Sequence, residues 1–242
     1  LSHKLFFENI NLLRGFAALS VLVYHVIEFL PWKNFPVEGP FLWFRIGWLG
    51  VDLFFVISGF VITLSASQLF EAYGSGFYKI YLRRRLARIA PLYFLTGFIF
   101  LLFLWPTLLE SGTLIKNIVY HLLFIHNLDI ETHRAINAPN WSIGVEMQFY
   151  LLILLSIRYL LKLRPLVILL ACITISWIWR ALVFFLLCHN TICTAEILFV
   201  PSTQLPGCLD EFGFGIFLCR MMLDKNRQVP LVANVYGGIW FW

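Results

Sequence analysis

The chain has 242 residues, 60% of them hydrophobic, 18% aromatic and 13% charged, with a mean hydropathy of +0.83. Soluble domains are about half apolar and a quarter charged, so the composition excludes a soluble globular domain and points to an integral membrane protein. The formal net charge of +5 is topological rather than a sign of nucleic-acid binding, because the basic residues follow the ends of the apolar segments.

Apolar runs near the length needed to cross about 30 Å of hydrocarbon fall at residues 12–30, 46–66, 89–105, 141–161, 166–187 and 205–223, and a seventh begins near Leu231. They lack the alternation of barrel strands, so the expected fold is an all-α integral membrane protein, a bundle of about six to seven transmembrane helices. No small-residue cleavage pattern follows Val26, and the first run reads as a retained helix rather than a signal peptide. Threading the runs from a cytoplasmic N-terminus leaves only Lys33, Arg45, Lys116, Arg134 and Arg180, of 18 basic residues, on the outer side, as the positive-inside rule asks. The segment "KNIVYHLLFIHNLD", residues 116–129, is too short to span and is expected to be re-entrant or interfacial on the outer side.

The first run, "NLLRGFAALSVLVYHV", holds Arg14 and His25. Eleven helical steps bring both side chains to one face about 16 Å apart along the axis, with Arg14 expected at the inner boundary and His25 near mid-membrane. An arginine inside a span costs about 2.5–3.5 kcal/mol on insertion scales, and such residues usually face a cavity or the bundle interior. The alternative is a snorkelling Arg14 and a His25 that makes one interhelical hydrogen bond. In the second run "GWLGVDLFFVISGF" supplies Asp52, an acid that is either functional or structural.

Arg85 and Arg88, in "YLRRRLARIAP", stand three apart at the cytoplasmic start of the third run and share a face. Two such guanidiniums suit bidentate phosphate binding, although a topological anchor accounts for them equally well. "NWSIGVEMQFY" opens the fourth run with Trp141 at interface depth, Ser142 as a candidate helix cap and Glu146 about one and a half turns further in. Glu146 and His25 approach in depth, as a base and its orienting group would. His121, His126 and His133 are not expected to form a metal site, because a continuous helix would point the first two about 140° apart. Gly213 and Gly215, in "LPGCLDEFGFGIF", suit close helix packing. The five cysteines show no metal spacing and read mainly as buried thiols; a Cys188–Cys193 disulfide would need an oxidising compartment.

The blocks "LRGFAALSVLVYH", "GWLGVDLFFVISGFVI", "RRRLARIAPLY", "NWSIGVEMQFYL" and "LDEFGFGIFL", in this order from residue 10 to about 220, resemble the acyltransferase-3 family of multi-pass membrane proteins, which O-acylate cell-envelope glycans and other extracytoplasmic acceptors. The resemblance implies that Arg14 and His25 are the family's essential pair, with His25 the best catalytic candidate. It implies further that Arg85 and Arg88 form the Arg-x-x-Arg element that engages the acyl-CoA donor, and that Trp141, Ser142 and Glu146 belong to a Trp-Ser-Leu-x-x-Glu block, with Ile143 where leucine is common. Asn11 and Leu12 replace a frequent Asp-Gly, and family members have about ten spans. Residues 1–242 are therefore expected to be a single acyltransferase-3-like domain without its C-terminal helices.

The expected activity is O-acyl transfer, most simply O-acetyl transfer, from cytoplasmic acetyl-CoA or another acyl-CoA to a hydroxyl of an envelope glycan or polysaccharide such as lipopolysaccharide. His25 would act as general base or become acylated. The expected setting is the bacterial inner membrane, with the lipid bilayer, the acyl-CoA and the glycan as partners and no metal or nucleic acid. The competing readings are a proton-coupled transporter or channel component using His25, Asp52 and Glu146, and an inactive fragment or scaffold.

Overall fold

In the computed structural model the described residues are 3–29, 38–189 and 194–228. They form α1 (His3–Phe29), α2 (Leu42–Arg45), α3 (Leu49–Tyr73), α4 (Phe77–Ile99), α5 (Leu114–Leu122), α6 (Trp141–Leu160), α7 (Pro165–Cys188), α8 (Ala195–Ser202) and α9 (Leu209–Gln228), with short 3-10 turns and, among these residues, no strand. Four stretches are long and apolar enough to cross a membrane: Glu8–Glu28, Leu49–Leu104, Ala138–Leu160 and Pro165–Cys188. The second is 56 residues long because Gly74, at φ +53°, folds it back into the hairpin α3–α4. This is the all-α bundle that the apolar runs predict.

Two boundaries differ from hydropathy. The third run continues N-terminally to Phe77, because Arg and Lys are good helix formers and the basic cluster prolongs the helix instead of ending it. The sixth opens as a 3-10 turn at Leu205–Cys208, and α9, with Asp210 and Glu211 in its first turn, is not among the four apolar stretches. The run predicted near Leu231 lies outside the described residues.

α3 is the central helix, packed on α1, α4, α6 and α9, while α7 closes on α9. A Cβ at Gly59 would meet the Phe212 backbone, and one at Gly215 would meet the Val56 carbonyl and the Phe60 nitrogen. The two helices therefore touch backbone to backbone, and Gly213 leaves room on α9 for the Cys172 side chain of α7, which is the close packing expected of these glycines. Phe212 then stacks on Phe55 and Phe149, at 4.7 and 4.0 Å between ring centres, and ties α3, α6 and α9 into one core. Leu155, Trp177 and Phe184 stand exposed on the outside of α6 and α7, as lipid-facing residues do. Cys172, Cys208 and Cys219 are free thiols, whereas Cys188 is disulfide-bonded; Cys193, the partner offered by the sequence, lies outside the described residues.

The bundle has two unlike ends. The turns at residues 74–76 and 161–164 lie at a basic end, near Arg83, Arg84, Arg158, Lys162 and Arg164. The opposite end is covered by residues 105–140, a cap whose longest element, α5, has nine residues and is too short to span, as expected. The cap is pinned to α4 and α6 through His126: its Nε2–H donates to the Asn140 carbonyl at 3.1 Å, and its Nδ1 lies 3.2 Å from the Tyr93 hydroxyl. A Cβ at Gly144 would meet Asn127 and His126, so the missing side chain admits the cap against α6. His121 and His126 do not diverge: α5 ends at Leu122, Phe124 turns at φ +56°, and the two rings stack at 4.2 Å. Among the described residues no group of three His, Cys, Asp or Glu is placed to hold a metal.

Burial pushes the His126 pKa down to about 3 and that of His133 to about 4, so both rings are neutral in the folded protein. Between those values and an unfolded histidine near 6.5, only the unfolded chain takes up the protons, and stability falls as pH falls. The melting midpoint of the purified protein is expected to drop steadily from pH 7 to 5, and to drop less in His126→Gln; a wild-type midpoint flat over that window would contradict the neutral cap. Gly215→Ala is expected to cost about 1–3 kcal/mol through overpacking. Gly15→Ala, where a Cβ meets nothing within 4 Å, is expected to be neutral or to gain about 0.5–1 kcal/mol. Equal melting shifts for the two variants would argue against the α3–α9 backbone contact.

Candidate active site

α1 docks along the start of α3. A Cβ at Gly47 would meet the Ser20 carbonyl and Tyr24, and one at Gly50 would meet the Ala17 carbonyl and Val21. Ala17 to Tyr24 are thereby level with residues 47–50, which puts Arg14 inside the bundle and His25 beyond the first turn of α3. The apolar stretch begins at Glu8 and ends at Glu28, so Arg14 lies nearly two turns inside it and His25 close to its far end. The helix starts at His3, and the polar residues Glu8, Asn9 and Asn11, which hydropathy placed before the span, belong to it.

Arg14 is within Coulombic reach of Arg85, Arg88, Glu146 and Tyr150. Glu146 Oε1 accepts from the Ser58 hydroxyl at 2.9 Å and from the Tyr150 hydroxyl at 2.9 Å. The Arg85 side chain, 4% exposed, places its guanidinium 5.6 Å from the centre of the Tyr81 ring and 5.5 Å from that of Tyr150, contacts worth about 1 kcal/mol each. The Tyr81 hydroxyl donates to the Tyr150 carbonyl at 3.2 Å. Arg88, three residues on, is exposed. Three guanidiniums, from α1 and α4, and the Glu146 carboxylate of α6 thus lie within electrostatic reach of one another.

His25 is half-buried, and its ring meets Tyr24 edge to face at 5.3 Å. Its Nδ1–H donates to the Val21 carbonyl one turn below, at 2.8 Å. A neutral imidazole so held carries its lone pair on Nε2, the tautomer a general base needs. Val21 therefore orients the ring in the way proposed from the sequence for Glu146, whereas Glu146 is held by Ser58 and Tyr150 and companions Arg14. The helical rise separates His25 from Arg14 by about 16 Å. Arg134 of the cap and Glu28 lie within Coulombic reach of Tyr24, so the cap extends to the His25 end of α1.

The remaining sequence candidates fall elsewhere. Asp52 joins a second ionic cluster, within Coulombic reach of Arg180 and Asp210. There Arg180 grips Asp210 bidentately at 2.9 and 3.1 Å and reaches Glu211 at 3.4 Å, which ties α3, α7 and α9 together near the cap. Trp141 packs edge to face on Phe55 and Phe199 and stacks on His133 at 5.8 Å. Ser142 is no cap: its hydroxyl donates to the Pro139 carbonyl at 3.2 Å, and Asn140 holds the N-cap position. Ser58, Tyr81, Tyr150 and Arg180 were not singled out by the sequence. The signals for them were an arginine within a span and a tyrosine one turn after Glu146.

In an alignment 238 positions long that covers 90% of it, the chain is 27% identical to the O-acetyltransferase OatA of Staphylococcus aureus strain NCTC 8325, of which the match covers 36%. Over 155 residues, 60% of it, the chain is 30% identical to the peptidoglycan O-acetyltransferase OatA of Listeria monocytogenes, of which the match covers 23%. The chain thus spans well under half the length of these curated relatives. No solved structure matches it. The sequence profile of the acyltransferase-3 family, described as an acyltransferase domain, matches residues 7–231, and with that coverage the chain belongs to the acyltransferase-3 family.

Proposed function

We propose that this protein is a membrane O-acetyltransferase that takes the acetyl group of a cytoplasmic acetyl-CoA and gives it to a hydroxyl of an envelope glycan, peptidoglycan being the acceptor the relatives favour. The observation that carries this reading is that Arg14 lies within electrostatic reach of Arg85, Arg88 and Glu146, which puts three guanidiniums in one region, an electrostatic match for the phosphates of a CoA. His25 lies about 16 Å further along α1, a separation that an extended pantetheine arm covers.

Orientation follows the same logic. The basic end, with Arg83, Arg84, Arg158, Lys162 and Arg164, faces the cytoplasm in this reading, as the positive-inside rule asks. The capped end then faces outward, which suits the disulfide at Cys188, since disulfides persist in oxidising compartments. The donor enters from the basic end, and the acceptor meets it from beneath the cap.

In the transfer His25 Nε2 takes the proton of the acceptor hydroxyl while that oxygen attacks the thioester carbonyl carbon. The Nδ1–H bond to Val21 steadies the imidazolium that results. As the carbon–sulfur bond breaks, His25 returns the proton to the departing thiolate, so an O-acetyl ester and free CoA thiol are the products. Arg14, Arg85 and Arg88 bind the donor's anionic part, and Glu146, fixed by Ser58 and Tyr150, keeps the three guanidiniums from repelling one another.

Three outcomes check this reading. His25→Ala is expected to lower alkali-labile O-acetyl groups on the cell-wall polymer by about 10²- to 10⁴-fold, the usual worth of a general base, at normal protein level; undiminished acetylation would remove His25 from the mechanism. Arg85→Lys with Arg88→Lys keeps the charge but loses the planar fork, and the KM for acetyl-CoA is expected to rise about tenfold with kcat little changed, whereas an unchanged KM would leave both residues as topological anchors. Glu146→Gln is expected to lower the melting midpoint by the equivalent of about 1–3 kcal/mol, since two donors lose a charged acceptor; a midpoint equal to wild type would argue that Glu146 does not balance the arginines.

A further inference from the structure

Of the basic residues at the capped end, Lys116 and Arg180 are committed to carboxylates: Lys116 lies 2.9 Å from Asp129 and 2.7 Å from Glu131, and Arg180 grips Asp210 and Glu211. Arg134 is exposed and makes no ion pair or hydrogen bond among the described residues, the two acids just before it in the cap being those that Lys116 holds. Its guanidinium carbon lies over the Phe199 ring of α8, 4.8 Å from the centre. Phe199 is itself held in place, since Trp141 and His133 meet it edge to face at 5.4 and 5.6 Å, and His133, 1% exposed, stacks on Trp141. A ring attracts a guanidinium through its charge and leaves the N–H donors to another partner. Arg134 is thus an exposed cation steadied by a fixed ring, with its donors open.

Its place in the fold gives that cation a use. Arg134 is within Coulombic reach of Tyr24, whose ring meets the His25 ring edge to face at 5.3 Å. Glu28, one turn beyond Tyr24, is within the same reach of Tyr24 but is joined to Arg134 by no ion pair. The guanidinium therefore stands at the His25 end of α1, on the side of the bundle where the acceptor enters. A carboxylate offers two oxygens in one plane, the shape of the guanidinium fork, and its hydrogen bonds to that fork are charge-assisted, whereas a sugar hydroxyl offers only neutral ones.

We propose that Arg134 binds a carboxylate of the acceptor glycan and so holds a neighbouring sugar hydroxyl at His25, which makes the acceptor an acidic glycan. The inference rests on the acetyl-transfer reading for the presence of an acceptor at this end. Arg134 is a binding residue in it and takes no part in proton transfer, and Trp141 acts through Phe199, as part of the support beneath the guanidinium.

The experiment measures equilibrium binding of two acidic oligosaccharides to the purified chain in nanodiscs. One is a peptide-free tetrasaccharide of N-acetylglucosamine and N-acetylmuramic acid, whose carboxylates sit on lactyl ethers; the other is tetragalacturonate, whose carboxylates belong to the sugar ring. The methyl ester of each is the control. At least one acid is expected to bind at least tenfold more tightly than its own ester, and Arg134→Gln to bind that acid at least tenfold more weakly with an unchanged melting midpoint, the worth of one charge-assisted pair. Arg134→Lys, which keeps the charge and loses the fork, is expected to fall between the two. Whichever acid binds tells whether the carboxylate is appended to the sugar or part of it. Equal binding of acid and ester, undiminished binding by Arg134→Gln, or no binding of either acid would overturn the proposal. The acetyl-transfer reading fails separately: a chain that binds the acid through Arg134 but transfers no acetyl group from acetyl-CoA keeps this site and loses the transfer, and one that acetylates neutral chitotetraose as well as either acid does the reverse.

Discussion

Charged side chains in an apolar helix bundle have to find one another, because hydrocarbon offers them neither water nor counterions. In this protein that constraint produces two clusters, and most of the architecture follows from where they stand. Arg14, Arg85 and Arg88 converge with Glu146, drawing α1 and α4 toward α6, while Arg180, Asp210, Glu211 and Asp52 draw α7 and α9 toward α3. The second cluster has more carboxylates than guanidiniums and the first the reverse. The first is the arginine-rich one, and the proposed reading assigns it the anionic donor.

The packing that holds these clusters is built from small residues and rings. Gly59 and Gly215 let α3 and α9 touch backbone to backbone, and the stack of Phe55, Phe212 and Phe149 fills what remains. A more spacious α3–α9 contact would move Asp210 away from the α3 end that carries Asp52. At the cap, neutral histidines do the work that charges do in the core: His126 bonds to α4 through Tyr93 and to the start of α6 through Asn140, which fixes the entry of the helix that carries Glu146.

Much of this was legible in the sequence. The apolar runs gave the all-α bundle, Gly213 and Gly215 announced close packing, and Arg14, Arg85, Arg88 and Glu146 were singled out before any of them had a position in space. Depth was less legible. A hydropathy window penalises Glu8, Asn9 and Asn11 and so started the first span late, which put Arg14 at its edge; the helix extends past them because helix formation depends on backbone hydrogen bonds rather than on apolarity alone. For the same reason the basic run at Arg83–Arg88 read as a boundary and proved to be helix. The partners of Glu146 were half visible: Tyr150 follows one turn later on the same helix, whereas Ser58 comes from α3 and nothing local to it marks the contact. The stacking of His121 on His126 is invisible to helical spacing, because the backbone turns left-handed at Phe124 between them.

In the proposed reading labour is divided along α1, with the Arg14 cluster assigned to the donor and His25 to the transfer. Equilibrium binding of acetyl-CoA to the purified protein separates the two roles most directly. The account predicts that His25→Ala binds acetyl-CoA as wild type does, while Arg14→Gln, at equal folded fraction, binds at least tenfold more weakly. Undiminished binding by Arg14→Gln, or equal loss in both variants, would contradict it.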